Sequence, residues 1–301
     1  MMFKNKIINY YLDKSIEYSH NNSYNKAIES INKVLLINKK NIEALSLKGL
    51  YYAYLFDKNN SFKCFDRVFT YSPNYHYGYY NKGVACIQLE EYNLAINLFK
   101  KVLTFNQKHV ASLNLIGFSY MFLKEYNLAF EYFNKILKID SKNTEALLNI
   151  SLIYNDLKNY GKSLNYINKA LKIEPNNTSI LLQASNIYKN KKDYENADKY
   201  INYALAENPN DIMLLLTKYL SLANLGKFKE SQEGFKNISE IYFDNYSLIK
   251  MYYIYYGKAL GIMGKFNESI KLYDEYLERY PNFPKDEIKY EKEQILNLMN
   301  D

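Results

Sequence analysis

His20, His76 and His109 are the three histidines of the 301-residue chain, and Cys64 and Cys86 are its two cysteines. Imidazole or thiol chemistry would have to be built from these five. None stands in a CxxC, HxxxH or HExxH context, the spacings that set ligands on one turn or one helix face, so no zinc site is expected. Two cysteines make no disulfide framework and read as buried free thiols. Carboxylates are plentiful, but they alternate with lysines as solvated helical charges do. No GxxxxGK, GxGxxG or GxSxG run offers a phosphate cradle or a nucleophile elbow. The expectation is a protein that is not an enzyme and that carries no cofactor and no metal.

The elements that hold these residues show in the spacing of the turn formers. With 5 prolines and 10 glycines the chain is too poor in tight turns for an all-β fold. Pro175 and Pro209 are 34 residues apart, Pro73 lies three such intervals before Pro175, and Gly49, Gly83 and Gly117 keep the same spacing. Pro281 follows Pro209 by two intervals plus four residues. A fixed period of this length is the mark of stacked helix–turn–helix repeats. A local motif repeats with it: Glu90-Glu91-Tyr92 before Ala95, Lys124-Glu125-Tyr126 before Ala129, Lys158-Asn159-Tyr160 before Ser163, Lys192-Asp193-Tyr194 before Ala197.

These residues resemble the tetratricopeptide repeat, a degenerate motif with small residues at positions 8, 20 and 27, aromatics near 11 and 24, and Pro at 32. The frame gives eight repeats: 8–41, 42–75, 76–109, 110–143, 144–177, 178–211, 212–245 and 250–283. Position 20 is small in all eight, and position 8 in seven, Tyr219 being the exception. Small residues there let the paired helices approach closely. The resemblance implies an all-α, right-handed superhelical solenoid of seventeen helices, the last a C-terminal capping helix over residues 284–301. That helix is expected to turn Ile288, Ile295, Leu296 and Leu298 inward and Lys289, Glu291, Lys292 and Glu293 outward. Tyr219 is expected to push the helices of its repeat apart unless they shift, and, with the extra residues 246–249, to alter packing between the last two repeats, Glu240–Tyr246 forming a longer helix end or loop.

The first helix of each repeat would pack through positions 4, 7, 8 and 11. Positions 2, 5, 9, 12 and 13 form a second stripe, which in the resembled family lines a concave groove. In repeats two to five that stripe is rich in rings and poor in charge. It supplies the candidate partner-binding residues Tyr54, Tyr77, Tyr80, Gln88, Asn114, Phe118, Phe122 and Asn155, with Asn81 and Asn149 at its edge. Amides there suit an extended peptide backbone. Position 5 carries no lysine in any repeat, which disfavours the clamp for acidic chain ends that some family members use.

Charge is uneven: residues 1–143 hold 19 basic and 11 acidic side chains, residues 144–301 hold 20 and 21. A basic half suggests nucleic acid, yet Arg67 and Arg279 are the only arginines, and the forked contacts such surfaces favour are missing. No stretch approaches the ~18 apolar residues of a membrane span, and the N-terminus lacks the apolar core of a signal peptide. The expected role is a cytoplasmic, non-enzymatic scaffold whose groove takes a peptide or helix of a protein partner, with no membrane insertion. RNA or DNA association through the basic half, or service as regulatory subunit to an enzyme on another chain, are the alternatives. A homo-oligomer filling the groove is also open.

Overall fold

In the computed structural model, residues 2–239, 246–281 and 285–300 are described. Among them every regular element is an α-helix, seventeen in all, and there is no strand. They fall into two compact units, residues 1–149 and 150–301. The N-terminal unit contains α1 (Met2–His20), α2 (Tyr24–Ile37), α3 (Ile42–Tyr54), α4 (Lys58–Tyr71), α5 (His76–Gln88), α6 (Tyr92–Phe105), α7 (Val110–Phe122) and α8 (Tyr126–Ile139). α9 (Thr144–Asp156) runs across the boundary. The C-terminal unit continues with α10 (Tyr160–Ile173), α11 (Thr178–Asn190), α12 (Tyr194–Glu207), α13 (Ile212–Asn224), α14 (Phe228–Ser239), α15 (Tyr246–Ile262), α16 (Phe266–Arg279) and α17 (Asp286–Asn300).

Local chemistry sets the helix starts at the repeat's last position. Asn41, His109, Asn143, Asn177 and Asp211, all in step with the period, accept hydrogen bonds from backbone N–H groups two or three residues on. Each satisfies a donor that the first turn leaves unpaired. His109 is thereby a helix cap, its Nδ1 3.2 Å from the Ser112 backbone nitrogen. The turns between paired helices pass through a left-handed residue at a fixed repeat position: Asn22, Phe56, Glu90, Lys124, Lys158 and Lys192, then Gly226 and Gly264.

Within a repeat, the residue at position 8 meets that at position 24. Gly49, Gly83 and Gly117 lie against the rings of Phe65, Phe99 and Phe133, where a Cβ would stand 2.7 Å away. The position-20 hydroxyl clamps the crossing: Ser163, Ser231 and Ser269 donate to the carbonyls of Ser151, Tyr219 and Gly257 at 2.8, 2.6 and 2.9 Å. Repeat seven keeps this short bond at the crossing, and Gly234 makes room for the Tyr219 ring. Of the disturbed region, residues 240–245 lie outside the described residues. The four extra residues extend the N-terminus of α15, which has 17 residues against 13 in α13.

Helix α17 departs from expectation on one face. Ile288 and Ile295 are buried, but Leu296 and Leu298 are exposed. Glu291 and Lys292, expected outward, turn to the neighbouring helices and pair with Lys258 at 2.8 Å and Asp274 at 2.5 Å; Glu287 adds a third pair to Lys250 at 2.8 Å. Both cysteines are free and buried, and burial pushes the Cys86 thiol up to about 11.

Candidate functional site: an aromatic face on the N-terminal unit

The second stripe of α3, α5 and α7 does not behave as one surface. Its position-5 residues sink between successive first helices: Ser46 is buried, Asn114 is buried, and Tyr80 is half-buried. The edge amide Asn149 is buried too, and Asn81 is half-buried. These polar groups are spent on one another. Asn81 donates through Nδ2 to Ser46 Oγ at 3.0 Å. Asn149 donates to Asn114 Oδ1 at 2.9 Å, and Asn114 donates to Glu145 Oε1 at 2.6 Å. The amides expected to hold a ligand backbone thus tie one repeat to the next, which is how buried amides must be satisfied. Asn155 lies in the C-terminal unit, where its Oδ1 accepts from Asn190 Nδ2 at 3.2 Å, and it is described apart from this face.

What remains open comes from positions 2, 9 and 13. Tyr77 is 58% exposed and Phe122 50% exposed, while Phe118 and Gln88 are half-buried. Phe122 lies 4.6 Å from Phe118 and stacks on Tyr92 at 5.1 Å. Tyr54 stacks almost parallel on Tyr24 at 4.7 Å. Tyr80 stands edge-on to Phe99 at 5.8 Å and to His109 at 5.6 Å. Burial, and next the nearby Glu145 carboxylate, raise the Tyr80 phenol, so it stays a neutral hydrogen-bond donor at any working pH.

Tyr77, Tyr80 and Asn81 open onto a recess of about 560 Å³ closed by His76, Phe105 and His109. Sequence reasoning did not assign those last three. Phe105 ends α6 and His109 caps α7, at the turn between repeats, where the period speaks of caps rather than of the surface they shape. The recess has apolar walls with a few convergent polar atoms, which suits an apolar side chain. His109 Nδ1 lies 2.8 Å from the hydroxyl of Ser112, but Ser112 is fully buried and is not among the recess walls, and no group of three or more metal-ligating side chains occurs among the described residues.

A family model described as tetratricopeptide repeat matches residues 8–41, 76–109, 110–143, 144–177 and 178–211, more than half of the chain and in the same register as the frame above. No curated protein sequence matches the chain. Among solved structures, a tetratricopeptide repeat protein from Parabacteroides merdae is similar at 16% identity and TM-score 0.60, covering 97% of this chain and 99% of that one. PilW, a type IV pilus biogenesis factor, is 19% identical with TM-score 0.56, over 68% of this chain and 95% of that one. PilF of Pseudomonas aeruginosa is 15% identical with TM-score 0.53, over 69% of this chain and 95% of that one. At such identities the likeness bears on the fold alone.

Proposed function

The chain belongs to the tetratricopeptide repeat family, and we propose that it is a non-enzymatic scaffold whose N-terminal unit binds an apolar, ring-bearing segment of a protein partner. The observation that carries this reading is the exposure of Tyr77 and Phe122 on a face whose amides Asn81, Asn114 and Asn149 already have partners. Tyr77, on the wall of a recess of about 560 Å³, and Phe122, half exposed on α7, offer rings that a partner's side chain can desolvate. Because Asn81, Asn114 and Asn149 bond across repeats, the partner is held by side chains more than by its backbone. No helix among the described residues is long and apolar enough to cross a membrane. Two unpaired, buried thiols suit a reducing compartment, and the cytoplasm is the proposed site of action.

The test is selection of peptides from a displayed random library on the full chain. Selected peptides should share apolar or aromatic residues. Their affinity should fall about tenfold, ~1.4 kcal/mol, for the double variant Tyr77→Ala/Phe122→Ala, and hold for Tyr203→Ala on the other unit. Equal binding to the double variant removes the face as the site. Retention of RNA that washes off with modest salt, without peptide enrichment, favours the nucleic-acid alternative instead.

A further inference from the structure

In the C-terminal unit the same helix rows carry charge where the N-terminal unit carries rings. Positions 9, 12 and 13 of the last three repeats, together with α17, enclose a recess of about 470 Å³. Lys189 enters it from α11, Lys258 from α15 and Glu291 from α17, with Asn224 beside them and Leu220 and Ile295 among the apolar walls. Lys258 pairs with Glu291 at 2.8 Å. Lys189 donates to the neutral amide oxygen of Asn186 at 3.0 Å, and no carboxylate among the described residues pairs with it. Two ammonium groups therefore share one carboxylate, and the recess holds one surplus positive charge.

A partly buried lysine without a counter-charge is costly, and the cost is visible. Burial, and next the charge of Lys258, lower Lys189 to about 8. An entering anion would return the missing counter-charge. A singly charged group balances the recess. A dianion would leave net negative charge against Glu291 in a poorly solvated place. The apolar walls ask that the anion carry an apolar body.

We propose that this recess binds a monocarboxylate with a branched apolar body, its carboxylate between Lys189 and Lys258 and its body against Leu220 and Ile295. The chemistry is shared by a free organic acid and by an acidic side chain next to an apolar one in a partner protein. This inference is independent of the aromatic face on the other unit.

Calorimetric titration of the full chain tests it with four probes: 4-methylpentanoate, the uncharged 4-methylpentanamide, the capped tripeptide acetyl-Leu-Asp-Leu-amide, and inorganic phosphate. The acid, the tripeptide or both should bind at least tenfold more tightly than the amide. Binding of the free acid alone marks a small molecule as the ligand, and binding of the tripeptide marks an acidic partner segment. Lys189→Met, with Lys189→Gln as a second variant against misfolding, should lose at least tenfold. Glu291→Gln raises the surplus from one charge to two and should tighten binding several-fold, an effect that a purely structural role for the ion pair would not give. The other titratable groups lining the recess are Lys258, Glu291 and the Tyr194 phenol. Burial lowers Lys189 to about 8, so it loses its charge between pH 7 and 9.5, and binding should weaken at least threefold over that range. Equal binding of acid and amide, tighter binding of phosphate than of the acid, or no effect of either Lys189 variant overturns the proposal.

Discussion

The ring of Tyr219 fills the space that a side chain on Gly234 would need: a Cβ on that glycine would lie 2.2 Å from Tyr219 Cε1. In repeats two to four the small residue is a glycine at position 8, and the position-24 rings Phe65, Phe99 and Phe133 fill the space beside it. In repeat seven the large residue stands at position 8 and the glycine at position 23 of the second helix, and the Ser231 to Tyr219 carbonyl bond survives at 2.6 Å. Gly234→Ala should therefore destabilise by ~2–3 kcal/mol, because the ring is held edge-on to Phe235 at 5.8 Å and cannot retreat freely. Adding Tyr219→Ala should return much of that loss. A double-mutant cycle by urea unfolding reads the coupling. Strict additivity of the two changes would mean that the ring and the glycine do not share this space.

Phe56 is the odd member of the left-handed turn series. Its φ is +58°, and 67% of its surface is exposed, so it carries the backbone strain without packing in return. Bulky residues in this region are strained by ~1–2 kcal/mol, which glycine does not suffer, although glycine gives back part through the entropy of the unfolded chain. Phe56→Gly should stabilise by ~0.5–1 kcal/mol. A rise in the urea midpoint at unchanged slope is the expected result, and a fall would mean that the ring packs in a way its exposure conceals.

Lys189 gives stability a pH dependence with a definite sign. Its value falls from 10.5 to about 8 on folding, so between those values the unfolded chain binds more protons. Stability should rise with pH across that window and be lower below it. Because tyrosines titrate near its upper end, the comparison is with Lys189→Met. That variant should be more stable than the wild type at pH 7, by on the order of 1–2 kcal/mol, and the gap should close towards pH 10. A constant gap would place the ammonium in water.

The period made the helices legible because a single physical demand, close approach of two helices, recurs at the same place each time. Position 8 against position 24 shows it: Gly49 with Phe65, Gly83 with Phe99, Gly117 with Phe133. Two things escaped. A demand can be met by a partner elsewhere, as Gly234 meets that of Tyr219. A stripe assigned by helix rotation is also not yet a surface, since neighbouring first helices cover position 5. Asn114 looks like a peptide-binding amide on one helix and is buried once the next repeat brings Asn149 to 2.9 Å. Glu291 is the same lesson in charge: an outward residue on an isolated helix becomes the partner of Lys258 once α17 docks.

Exposure on the aromatic face orders the stability cost of truncating its rings. Phe99 is fully buried and touches Gly83, so Phe99→Ala should cost ~3–5 kcal/mol. Tyr80 is half-buried with its ring edge-on to Phe99 at 5.8 Å; its loss uncovers one side of that core ring and should cost ~1–2 kcal/mol. Phe122 keeps half its surface in water but stacks on Tyr92 at 5.1 Å, and Tyr77 is the most exposed of the four. Both should fall within ~1 kcal/mol of wild type. Urea unfolding of the four single alanine variants should thus rank Phe99, Tyr80, Phe122, Tyr77 in decreasing cost. The order separates anchors from architecture: a ring that is cheap to remove from the fold is free to spend its area on a partner. If Tyr80→Ala is as costly as Phe99→Ala, Tyr80 belongs to the core and the binding face contracts to Tyr77 and Phe122. If Tyr77→Ala is costly as well, the rings hold the repeats together and the face is no longer available to a partner.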